Sequence, residues 1–313
     1  MSVTTTHAAT TAPPLVPSAE PSEAARIAEF VRRASFEATR PSDGELDALA
    51  SAAAPGTRIY ISALASRPLA EQIAVAARLR ACGFEPVPHL AARNFADHAA
   101  LDAHLARLAE AGVTRLLVIG GDRDAPAGAF HHAIEVIESG LPQSHGMREI
   151  GLAGYPEGHP RVAPIELDRA LAAKIEAATA TGLAVHIVTQ FCFSAAPILA
   201  GIARMREIGI EAPVRVGIAG PASVATLMRF AAICGVKASA RALARNAGLA
   251  KHLFAASSPD AIVRALAPLA AVAAVEPHFF TFGGLAATAR WSAAVAAGRI
   301  ALDRTAGFTV SPP

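Results

Sequence analysis

Glu37, His89, Asp122, Gln190 and His278 each stand in or just after a short apolar run, and their types are those that move protons or grip a flat polar ring. A carboxyl or imidazole group poised at the rim of an apolar interior has its proton affinity altered by burial, which suits general acid–base work. A buried primary amide offers a donor and an acceptor on one edge. Tyr155, Glu157 and His159 follow another such run, Thr189 precedes Gln190, and Thr281 follows His278. Each also has a plain structural reading. Glu37 reads equally as a rim ion pair, and His89, after Pro88, as a hydrogen-bonded structural histidine. Asp122, in GGDRD, is in a setting where Asp bonds its own turn, and Gln190 could satisfy local backbone. Phe191, Phe193, Phe230, Phe279 and Phe280 read as core, and His131 and His132 as solvated helix residues. None of the His and carboxylate spacings is that of a metal-binding helix, so no metal is expected.

The elements that must position these residues repeat in a fixed order. Strand signals occur at 33–38, 58–64, 85–90, 115–121, 148–154, 185–191, 214–220 and 277–283. Most are nearly continuous apolar runs, as parallel strands covered on both faces require. Helical stretches lie between them, four of which end on Gly83, Gly112, Gly182 and Gly209, the usual stop residue. Strand, helix and glycine repeated around the chain predict a single (β/α)8 TIM barrel, whose chemistry belongs at the C-terminal strand ends. An open doubly wound sheet would place a glycine-rich turn after its first strand, whereas here SFEATRP follows. Residues 238–262 add helix before the last strand. Residues 1–22, rich in Ser, Thr, Ala and Pro, read as a disordered tail ahead of a barrel domain over 23–313.

Composition narrows the class. A chain of 313 residues that is 53% hydrophobic can fill one large core. A net charge of +2 with both signs mixed gives no basic stripe for nucleic acid. No apolar run reaches the roughly 18 to 20 residues of a membrane span, and the opening residues lack the pattern of a secretory signal. Cys82, Cys192 and Cys234 are odd in number and far apart, which points to a reducing, cytoplasmic setting. A homo-oligomer stays open.

Several of these segments together resemble the methylenetetrahydrofolate reductase family. GLAGYPEGHP (151–160) resembles that family's segment after strand five, and VTQFCF (188–193) its Thr-Gln-Phe run on strand six. SFE (35–37), PHL (88–90), the Gly-Asp of IGGD (119–122), GIAGPASVATLMRFAAICGV (217–236) and PHFFT (277–281) are similar to its first, third, fourth, seventh and eighth strand regions. The resemblance runs from about residue 30 to 285. It implies a TIM barrel that reduces 5,10-methylenetetrahydrofolate to 5-methyltetrahydrofolate, with NAD(P)H as hydride donor and FAD as cofactor. By the same resemblance Glu37 is the general acid, Asp122 a carboxylate near flavin and pterin, Gln190 the pterin-binding amide and Phe230 an aromatic against the folate or nicotinamide. His89, Gly121, Asp122, Tyr155, Glu157 and His159 line the flavin site, and Lys174 keeps part of the phosphate contact.

The chain departs from the pattern in places. Gly120 stands where the family has Arg, SALAS (62–66) replaces Thr-Tyr-Gly, Thr226 replaces a Gln, and Gly283-Gly284 replaces Asn-Arg. Pterin-side residues thus survive better than those for the flavin phosphates. Two other classes remain beside the reductase: a folate-binding barrel in a methyl-transfer system without redox activity, and a non-catalytic accessory barrel. The joint presence of Glu37, Asp122 and Gln190 counts against the last.

Overall fold

The computed structural model describes residues 21–64, 66–236, 256–271 and 274–311. The predicted tail up to residue 20 and most of the extra helical stretch, 237–255, lie outside the described residues. Eight parallel strands close into a barrel. They are β1 Ser35–Ala38, β2 Arg58–Ile61, β3 Glu85–Ala91, β4 Arg115–Ile119, β5 Glu149–Gly154, β6 Ala184–Thr189, β7 Val214–Ala219 and β8 Val275–Phe280. Neighbours in sequence are neighbours in the sheet, and β8 closes on β1 with Ser35 opposite His278. The predicted TIM barrel is therefore the observed fold. Among the described residues no helix is long and apolar enough to cross a membrane.

Helices fill the connections: α1 Glu23–Arg32 precedes the barrel, followed by α2 Asp43–Ala52, α3 Leu69–Ala81, α4 His98–Glu110, α5 Ala133–Glu138 and α6 Leu141–Ser144. Then come α7 Pro164–Ala180, α8 Ala195–Glu207, α9 Val224–Cys234, α10 Asp260–Leu266 and α11 Leu285–Ala296. Local chemistry starts and stops them. Ser22 caps α1, and Ser42 with Glu45 forms a reciprocal capping box on α2. Gly83, Gly112, Gly182 and Gly209 take the left-handed conformation just past α3, α4, α7 and α8, as expected.

Five strands end earlier than the sequence predicts: β2 at Ile61, β4 at Ile119, β6 at Thr189, β7 at Ala219 and β8 at Phe280, so Ser62, Gln190 and Thr281 stand on the first loop residue after β2, β6 and β8. Backbone bonds to the neighbouring strands run one residue further, from Ser62 N–H to the Ala38 carbonyl at 3.0 Å and from Gln190 N–H to the Gly154 carbonyl at 2.8 Å. His131 precedes α5 and His132 caps it, instead of lying within a helix.

The strands are also less uniformly apolar than their runs implied. Alternate residues Phe36, Ile59, Ile61, Leu116, Val118, Ile150, Leu152, Ile187, Val216, Ile218 and Phe279 belong to the large core that the helices cover. The intervening positions form a largely polar column. At its N-terminal end Arg58 binds both carboxylate oxygens of Glu149 at 2.7 and 3.0 Å. Arg115 bridges Glu149 at 2.7 Å and Glu85 at 2.9 Å, and Arg215 pairs with Glu276. Above this layer Tyr60, Val87, Leu117 and Val188 form a small separate cluster. Glu149 Oε1 lies 2.8 Å from His186 Nδ1, and His186 Nε2 lies 2.6 Å from the Tyr60 hydroxyl.

Candidate active site

The C-terminal ends of the strands open into a cavity of about 1120 Å³. Glu37, His89, Gly121, Asp122, Tyr155, His159, Lys174, Gln190 and Phe230 all line it. Glu157, predicted for the same site, is not among the lining residues. Ser62, Arg93 and Phe282 line it too and were missed by the sequence reading. Ser62 stands in a segment that departs from the family pattern, and the other two have no distinguishing spacing.

Glu37 is the most constrained of these groups. Ser62 Oγ donates to its Oε1 at 2.7 Å, while Oε2 lies 3.6 Å from His278 Nε2 and 4.0 Å from His89 Nε2. Thr281 Oγ1 donates to its backbone carbonyl at 2.7 Å, holding β1 against the end of β8. Burial pushes the carboxyl up, but His278, His89 and Ser62 outweigh it and hold it below its ordinary value. Both imidazoles are pushed down, His89 and His278 by burial first, with Glu37 opposing. The tyrosine ring beneath, Tyr60, packs edge-on to His278 with centroids 4.6 Å apart.

Gln190 satisfies local backbone, its Oε1 accepting the Phe191 N–H at 3.0 Å, and its NH2 has no hydrogen-bond partner among the described residues. Asp122 is exposed on the cavity wall beyond β4, after a glycine that the backbone demands. Gly121 has φ +93°, and a Cβ there would stand 3.0 Å from the Ala91 Cβ. A Cβ on Gly120 would meet nothing within 4 Å, so open space exists where the resembled family carries Arg. Burial raises the Tyr155 phenol, and Asp122 adds to it. His159 packs edge-on to Tyr155 at 5.2 Å and is lowered by burial and by Arg161.

Lys174 is half-buried on the cavity wall with no ion pair among the described residues, and burial lowers its ammonium. The other cations there are already engaged. Arg93 donates to the carbonyls of His131 and Arg123 at 2.9 and 3.1 Å, and Arg161 pairs with Asp124 at 3.3 Å. Phe230 is half-buried and stacks on Phe282, with centroids 4.1 Å apart and planes 16° from parallel. Phe191 and Phe279 are fully buried, as read, whereas Phe230, Phe280 and Phe282 present surface to the cavity.

A pocket that brings the Glu37 and Asp122 carboxyls, the His89 imidazole, the Gln190 amide and stacked rings together is equipped to protonate and orient a flat heterocycle. Comparison with solved structures finds barrels of distant sequence. Oxaloacetate acetylhydrolase shares 11% identity with a TM-score of 0.49, covering 83% of this chain and 81% of that one. Triosephosphate isomerase from Bartonella henselae shares 9% with a TM-score of 0.45, covering 82% and 97%. Neither likeness bears on the chemistry. The family model described as methylenetetrahydrofolate reductase matches residues 58–281, which takes in seven of the eight barrel strands and nearly the whole cavity wall. This chain belongs to the methylenetetrahydrofolate reductase family.

Proposed function

We propose that this protein reduces 5,10-methylenetetrahydrofolate to 5-methyltetrahydrofolate with NAD(P)H as the source of hydride. The observation that carries the reading is the convergence of Glu37, Asp122, Gln190 and Phe230, from four different strand regions, on one cavity. Glu37 protonates the nitrogen that leaves as the methylene bridge opens. The free NH2 of Gln190 and the carboxylate of Asp122 orient the pterin edge, and the Phe230–Phe282 pair supplies an apolar wall. Holding the rings in register accounts for most of what the protein must do, since the hydride comes from a cofactor.

The residues present fit a flavin. Gly120 leaves open space on the cavity wall that His89 and Tyr155 share, and Lys174 is a cation on the same cavity without a carboxylate partner among the described residues. A bound FAD would relay hydride between the nicotinamide and the folate. One unengaged cation makes a single charge-assisted contact, worth roughly 1.5–3 kcal/mol. Losing a further such contact at Gly120 weakens affinity about tenfold to a hundredfold. FAD is therefore held weakly, is partly lost on purification, and raises activity when added back.

The test is the absorbance spectrum of the purified protein with NAD(P)H oxidation assayed against methylene-folate, with and without added FAD. Full activity in a colourless preparation, unchanged by FAD, would show direct hydride transfer to the folate. Folate binding with no NAD(P)H oxidation under either condition would refute the reductase and favour the methyl-transfer barrel.

A further inference from the structure

The polar column sets His278 between two hydroxyl and carboxylate partners in a way that admits two proton patterns. Its Nδ1 lies 3.0 Å from Ser35 Oγ, and Ser35 Oγ lies 3.4 Å from the carbonyl oxygen of Pro277. Its Nε2 faces Glu37 Oε2 at 3.6 Å and has no hydrogen-bond partner among the described residues, and the ring is 0% exposed. A hydroxyl has one proton to give. If Ser35 donates to Nδ1, the ring carries Nε2–H toward the Glu37 carboxylate. If Ser35 donates to the Pro277 carbonyl, Nδ1–H donates to Ser35, and Nε2 presents a lone pair to Glu37. That second pattern is favourable only when a proton lies on Glu37 or on Nε2. The same heavy-atom positions serve both.

We propose that Glu37 and His278 share one exchangeable proton, with Ser35 accepting the ring's Nδ1–H and donating to the Pro277 carbonyl, so that His278 is a positioning residue that loads Glu37 for proton donation. This rests on the reading of Glu37 as the donor. In the loaded state Nδ1–H points to Ser35 and the shared proton lies between Nε2 and Oε2. As it leaves, the Glu37 O–H bond breaks and an N–H bond forms on the substrate. The carboxylate then faces a bare Nε2, and this lone-pair contact is relieved when the pair takes one proton from solvent through the cavity. One proton is consumed per turnover, and it ends on substrate. His89 stands on the solvent side, 9% exposed with its own Nε2 unpartnered and 4.0 Å from Glu37.

Other groups act on the pair from every side. Ser62 donates to Glu37, and Tyr60 packs under His278. Arg215 opposes a charge on His278, Asp122 favours one on His89, and the Cys234 thiol is pushed up to about 11 by burial, Asp122 and Glu37. With burial and Arg215 outweighing Glu37, the pair loads below the ordinary histidine range.

The experiment is a pH titration of the ligand-free full chain by 15N-histidine NMR, with His278 assigned through His278→Gln. Glu37→Gln removes the carboxylate charge and should drop the His278 midpoint by about 1 to 3 pH units. His186, whose carboxylate partner is Glu149, should not move. An unchanged His278 midpoint overturns the proposal. Should Glu37→Gln fail to fold, the 13C carboxyl signal of Glu37 in His278→Gln decides instead: its midpoint moves up if the proton is shared, and an unmoved midpoint overturns the proposal. Coupled titration in a protein that reduces no folate would support proton sharing and refute the assigned reaction. Folate reduction with uncoupled titration would do the reverse.

Discussion

Tyr60→Phe tests the buried column beneath the site. Glu149 Oε1 lies 2.8 Å from His186 Nδ1, and the carboxylate there favours the ring proton on Nδ1, which makes Nε2 the acceptor. The Tyr60 hydroxyl, 2.6 Å away, is the donor to it. Tyr60 is 0% and His186 2% exposed, so no water replaces that donor. Removing the hydroxyl leaves one buried acceptor unsatisfied at a cost of about 1–3 kcal/mol. The ring itself is retained, so the packing against His278 contributes no further loss. For a domain of this size, thermal unfolding by circular dichroism should show a midpoint lower by roughly 2–4 °C per kcal/mol. A variant within about 0.5 kcal/mol of the parent, the range of an ordinary surface change, would show that the hydrogen bond is not made or that the column is hydrated.

Glu37→Gln should lower folate reduction by about 10² to 10⁴ while hydride transfer from NAD(P)H to bound flavin stays near wild type; stopped-flow measurement of the two half-reactions separates them, and equal loss in both would make Glu37 structural. His104 is buried and lowered to about 4 by burial and Arg107, so its neutral form contributes stability above the unfolded value near 6.5 that is lost as pH falls toward 4. The contribution is of the order of 3 kcal/mol, and urea midpoints that stay flat from pH 7 to 4 would contradict it. His186 adds loss in the same direction, and Glu149, held below the usual carboxylate range by His186, Arg58 and Arg115 against burial, adds more below about pH 4.5. Gly121→Ala forces a side chain into φ +93° and against Ala91; it should cost about 1–2 kcal/mol and weaken ligand binding by shifting Asp122, and a calorimetric titration showing full affinity would argue against that placement.

The sequence by itself determined the barrel and the end of it that carries chemistry. Alternation of apolar runs with glycine-ended helices is local information, and each parallel strand must be covered on its helix side wherever it stands in the ring. The motif pieces SFE, PHL, IGGD, GYPEGHP, TQF and GIAGPASVATLMRF were legible because they are contiguous, and Glu37, His89, Asp122, Tyr155, His159, Gln190 and Phe230 follow from them to one cavity. Tertiary structure alone decided which side chains meet inside. Arg58, Tyr60, Glu149 and His186 look like isolated exceptions in apolar runs, yet closure of the ring stacks them into one hydrogen-bonded column. Glu37 and His278 are 241 residues apart and become neighbours only because β8 returns to β1 with Ser35 opposite His278. The direction of the Glu37 shift could not be read from the chain, because burial and the two imidazoles push oppositely and only distance says which prevails. Phe282 is likewise unremarkable in sequence, and it becomes part of the site because the chain beyond β8 lays its ring on Phe230.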